Sequence, residues 1–114
     1  MPSSPIQDTN NVILDAVSTG TDQTTSSISI RNIKGYAVQH VWTAGTGRTG
    51  EIDVSGSNQE NGIYTCVDSY TIDTNSGDRL LNVETANYSY IKVTFTNTAG
   101  TGGTLTSILS TKLY

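Results

Sequence analysis

In the segment Tyr88–Thr96, Ile91, Val93 and Phe95 alternate with Tyr90, Lys92, Thr94 and Thr96. A period of two sends successive side chains to opposite faces of an extended chain, so the pattern predicts a strand with one side in a core and one in water. The same logic points Ile52 and Val54 inward within Glu51–Ser55 and sets Ile28 and Ile30 against Ser27 and Ser29. It also gives Leu105, Leu109 and Leu113 one parity near the C-terminus. Thr, Ile and Val supply 37 of the 114 residues. Their stiff χ1 suits a pleated sheet better than a helix. No stretch has a convincing helical period, so the chain is constrained to an all-β fold.

Eight strands are expected: Val12–Val17, Thr25–Ile30, Tyr36–Thr43, Glu51–Ser55, Ile63–Ile72, Leu80–Glu84, Tyr88–Thr96 and Thr104–Leu113. Tyr36–Thr43 is apolar on both faces and reads as a central strand. The connecting stretches Ser18–Asp22, Ala44–Gly50, Gly56–Gly62, Asp73–Asp78 and Asn97–Gly103 are rich in Gly, Asn, Asp, Ser and Thr, the residues that form turns. Short strands joined in this way describe one antiparallel β-sandwich of jelly-roll or Greek-key type, over residues 12–114. Residues 1–11 carry both prolines and one isolated Ile6. That composition suits an extended N-terminal arm that can order against a neighbour.

Net charge is −4, with only 16 charged residues. A chain this acidic lacks the electrostatic footprint for binding nucleic acid or an anionic membrane. Its start lacks the charged and apolar regions of a signal peptide, and no run approaches the roughly 20 apolar residues of a membrane span. The expectation is a soluble protein made in a cytoplasm. Thr, Ser, Asn and Gly together make 52 residues. Outer faces clad in such small polar groups suit burial against identical copies, so a homo-oligomer is expected.

Few residues can run chemistry. Gly45-Thr46-Gly47-Arg48-Thr49-Gly50 spells G-x-G-x-x-G, but a dinucleotide site needs a helix next, and Glu51–Ser55 alternates as a strand. The motif reads as a hairpin loop. Asp68, Asp73, Asn75 and Asp78 could offer oxygens to calcium, though not at EF-hand spacing, and a solvated turn is the simpler reading. His40 is the single histidine and is expected to be packed and structural, because a general base needs a positioned partner. Cys66, the single cysteine, excludes a disulfide within the chain and is expected to be a small buried hydrophobe. No cofactor or metal is expected. Tyr36, Trp42, Tyr64, Tyr70, Tyr88, Tyr90 and Tyr114 are amphipathic aromatics of the kind that stack on sugars or anchor protein interfaces.

Four stretches carry a resemblance: Gly35–Thr43, Gly50–Asn58, Ala86–Phe95 and Gly100–Thr106. With Gly-Tyr-Ala-Val-Gln opening a central strand, Val-Ser-Gly-Ser-Asn following, and Tyr-Ser-Tyr-Ile-Lys-Val leading to a Gly-Thr-Gly turn, the chain resembles small β-sandwich virion proteins of tailed bacteriophages. These are the capsid-decoration, head-fibre or tail-associated kind. The resemblance spans roughly residues 35–106. It implies a non-enzymatic structural protein located in the virion, with itself and other virion proteins as partners. A second similarity is to discoidin-like carbohydrate-binding sandwiches, which implies an alternative role in glycan or receptor recognition. There the chain departs from the pattern, because Gln59 stands where Asp is usual and Ile63-Tyr64 replace a Trp. The residues expected to make ligand or interface contacts are Trp42, Tyr64, Tyr90 and Arg48.

Overall fold

The computed structural model describes residues 9–113, and side chains within residues 11–112. Nine strands follow in order: β1 Thr9–Ser18, β2 Gln23–Thr24, β3 Ile28–Ser29, β4 Ile33–Thr43, β5 Thr46–Ser57, β6 Thr65–Ile72, β7 Gly77–Val83, β8 Tyr90–Thr101 and β9 Thr104–Leu113. One antiparallel sheet has the order β1-β9-β4-β7 and the other β2-β8-β5-β6, with β3 also on β8. Only β5 and β6 are consecutive neighbours within one sheet. Apart from the link between β2 and β3, which both lie on β8, every other link crosses from sheet to sheet, which makes the sandwich a jelly roll.

The core lies where the alternation placed it. Ile52, Val54, Ile91, Val93, Phe95, Leu105 and Leu109 are all buried between the sheets, together with Val38, Trp42 and Ile72. β4 runs between β9 and β7, as its doubly apolar sequence required.

Two features differ from expectation. The strand expected over Thr25–Ile30 is instead two short pieces flanking a break, Gln23–Thr24 and Ile28–Ser29, both on β8. At the break the Val93 amide donates to the Thr25 hydroxyl (3.0 Å) while the Thr25 amide donates to the Val93 carbonyl (2.9 Å). A side-chain oxygen there takes the place of a ladder carbonyl. The expected loops Ala44–Gly50 and Asn97–Gly103 are mostly strand. Thr46 to Gly50 of β5 pair, with shifts in register, against Thr101 to Asn97 of β8. Only Gly102-Gly103 joins β8 to β9, both at positive φ (64° and 91°), and a Cβ on Gly103 would meet the Thr43 carbonyl at 2.7 Å. The arm expected over residues 1–11 falls largely outside the described residues. Its last three, Thr9–Asn11, already pair with Thr111–Leu109 in β1.

Candidate functional site

The two ends of the sandwich and its β6/β7 edge hold the polar and aromatic groups that sequence reasoning singled out. At one end, Arg48 is 2% exposed and reaches across the layers. Its Nη1 donates to the Asn97 side-chain oxygen and, at 3.1 Å, to the Ala99 carbonyl, while Nη2 donates to the Gly102 carbonyl at 2.6 Å. Nε finds no acceptor. The Arg48 amide donates to Asn75 Oδ1 at 3.1 Å, and Gly45 N donates to the Asn75 carbonyl at 3.2 Å. Asn97 in turn donates to Asp22 and to Gly20. The guanidinium thus ties the start of β5 to β8 and the β8–β9 link, the Arg48 and Gly45 amides add the β6–β7 link through Asn75, and Asn97 adds the β1–β2 link. Arg48 had been expected at a contact surface. It is a structural clamp, held at both Nη atoms by carbonyl dipoles and an amide rather than by a carboxylate.

Trp42 is also inside, 2% exposed, with its ring 5.8 Å from that of Tyr70 and its indole N–H donating to Thr74 at 3.3 Å. A tryptophan so placed offers no face to a sugar. Tyr70 carries the Arg79 guanidinium over its ring at 4.7 Å, and Arg79 bridges from β7 to Asp68 on β6 at 2.9 Å. These groups bridge the two sheets between β6 and β7 and leave the outer backbone of β7 unpaired among the described residues. Tyr64 is half-buried. Its hydroxyl lies 2.7 Å from the Ser27 hydroxyl and donates to the Glu60 carbonyl at 2.8 Å, and Lys92 covers its ring at 4.5 Å. Tyr90 is half-buried at the start of β8, opposite Ser29 and Ser57. The four candidate residues therefore do not converge on one surface.

His40 is 1% exposed on the inward face of β4, with Nδ1 2.7 Å from the hydroxyl of the equally buried Ser107, and Nε2 has no partner. Burial pushes its pKa down to about 4; Asp68 works weakly against this and Arg79 with it. It is packed and structural, as expected.

Cys66 is exposed, which corrects the expectation of a buried thiol. Val54 pairs with Asp68 but Ser55 with Cys66, so Val67 is an extra residue on β6. One inserted residue flips the facing of everything beyond it, and Cys66 turns outward beside Ser55. Its pKa is raised, first by desolvation and then by the carboxylates of Asp53, Asp68 and Glu51. Of the suggested calcium ligands, Asn75 holds the Arg48 amide and Asp68 holds Arg79. Among the described residues no three His, Cys, Asp or Glu side chains gather as a metal site. A polar depression of about 470 Å³ opens beside Gly35 and Ala37, with Lys34, Glu84 and Lys112 among its walls. No helix of the described residues is long and apolar enough to cross a membrane.

Fold and loop clamp together define a jelly-roll β-sandwich, an architecture shared by viral capsid and lectin domains. No protein-family model and no curated protein matches the sequence. Among solved structures, the chain is similar to the SPBc2 prophage-derived protein YomS, at 16% identity and TM-score 0.62, over 97% of this chain and 98% of that one. It is also similar to VP2 in the subviral particle of infectious bursal disease virus, at 11% identity and TM-score 0.61 over 98% of this chain. The chain spans 33% of the length of VP2. A further likeness, TM-score 0.50 at 13% identity, is to a part of dimeric latent PorU from Porphyromonas gingivalis, where it spans 13% of that chain. At these identities the shared property is the fold.

Proposed function

We propose that the chain is a non-enzymatic structural component of a viral or bacteriophage particle, of the capsid-decoration or head- or tail-associated kind. It acts through protein–protein assembly with copies of itself and with other virion proteins. One observation carries the reading: the match takes in 97% of this chain and 98% of a prophage-derived protein. The viral capsid protein VP2 contains the same fold as one segment.

The site geometry supports the reading. Arg48 and Asn97 lock four links at one end into a rigid tip, the kind of scaffold that presents a fixed surface rather than one that closes over a substrate. His40 is sealed in the core and has no carboxylate partner, so it is not placed to move a proton for a substrate. Mass spectrometry of purified particles from cells that make this chain tests the proposal. The polypeptide should be present at a fixed copy number relative to the major shell protein. Its presence in the lysate but absence from the particles would refute the reading.

A further inference from the structure

Each sheet ends in two outer strands, and three of these four edges are irregular. β1 breaks register twice and holds Ala16 at a φ of 47°. β6 bulges at Val67, and β2 with β3 covers only four residues of β8. Bulges and short strands are how sheets keep an edge from pairing with another chain.

The fourth edge is different. β7 pairs residue for residue with β4, from Gly77 opposite Trp42 to Val83 opposite Tyr36, without a shift. Its other side meets no strand among the described residues. It contains no proline and no lysine. Arg79, its one cation, is drawn inward to Asp68 and Tyr70 and so does not guard the edge. Leu80, facing out, is 65% exposed and continues a row across the sheet formed by Val12, Ile108 and Gln39.

We propose that β7 pairs antiparallel with β7 of a second copy, Leu80 opposite Leu80 on a two-fold axis, so that two four-stranded sheets become one. The inference rests on the self-assembly part of the proposed function and names its surface. Residues directly opposed in an antiparallel ladder lie on the same face, so the register can slide only in steps that keep outward residues together. With Leu80 on the axis, Asp78 faces Asn82 and Arg79 faces Leu81, and no like charges meet. The neighbouring registers set Arg79 against Arg79, or Asp78 against Glu84, and like charges directly opposed destabilise a pair. The strand is thus complementary to itself in one register, which is what a two-fold contact requires.

Analytical ultracentrifugation of the full chain over a concentration series tests the pairing. The unaltered chain should dimerise. Leu80→Asp and Leu80→Lys should each lose the dimer while keeping the far-ultraviolet dichroism of the parent, because Leu80 is exposed. An equimolar mixture of the two should regain it, since Asp then faces Lys across the axis. Val12→Asp, on the opposite edge, should dimerise as the parent does. A dimer that survives in both Leu80 variants would overturn the β7 contact and leave self-assembly standing. Failure of the mixture to re-associate would overturn the register. A parent that stays monomeric throughout would overturn a second copy as the occupant, leaving the edge to a strand of another chain. None of these outcomes decides whether the protein resides in particles, which the mass spectrometry reads separately.

Discussion

Acidification should destabilise this protein strongly through one side chain. His40 is sealed between the sheets with Nδ1 on Ser107 and Nε2 facing no partner, so the neutral tautomer that donates from Nδ1 to Ser107 fits. The imidazolium does not, because it carries a second N–H with no acceptor. Its pKa falls from 6.5 to about 4 in the folded state. The folded value lies below the unfolded one, so the unfolded chain takes up the proton first as pH drops. The stability involved is whole above pH 6.5 and drains away between there and about pH 4. At 1.36 kcal/mol per unit, the full loss is about 3 kcal/mol, most of which is gone by about pH 4.5. That is a large share of the roughly 5–15 kcal/mol that holds a domain together. Urea denaturation from neutral pH down to that point, run in parallel on the parent and on His40→Gln, isolates the effect, since carboxylate titration is common to both. The parent should lose about 2–3 kcal/mol more than the variant over this window. Parallel stability curves for the two proteins would refute the burial argument.

Four further outcomes follow from the geometry. Arg48→Met removes the donors to Asn97, Ala99 and Gly102 and should cost about 3–5 kcal/mol by urea denaturation; an unchanged midpoint would contradict the clamp. Phe95→Ala, fully buried, should cost about 3–5 kcal/mol, whereas Leu80→Ala should stay within about 0.5 kcal/mol in dilute solution, and equal losses would mean the facing is wrong. Gly35→Ala would place a Cβ 2.4 Å from the Glu84 carbonyl, so the backbone must shift; a lowered melting temperature is expected, and an unchanged melt would contradict the close approach. Iodoacetamide should label Cys66 completely in the folded protein, faster as pH rises; labelling only after denaturation would restore the buried thiol.

How far the sequence could be read depended on whether a feature is local. Ile91, Val93 and Phe95 face the core because alternation along one strand fixes facing, and nothing elsewhere in the chain needs to be known. His40 could be read as structural for a similar reason, being the single histidine with no second one to work with. Arg48 could not be read. A charged residue between glycines suggests a loop, yet its partners Asn97, Ala99 and Gly102 lie about fifty residues away, and they turn a turn-like composition into paired strand. Cys66 was lost to one inserted residue, Val67, which changes the facing without leaving a mark in the composition. In sequence Trp42 reads equally as a stacking platform, because aromatics serve both surfaces and cores, and only its burial against Tyr70 on the opposite sheet settles which.

By itself the sequence determined the fold class and the inward set of each strand, since both follow from the steric preference of branched residues for extended backbone and from a period of two. The tertiary structure alone decided which strands lie side by side, which edge is left straight and open at β7, and which polar groups are sealed inside. Those depend on contacts between residues far apart in the chain, and the free energy of such a contact exists only once both partners have been brought together.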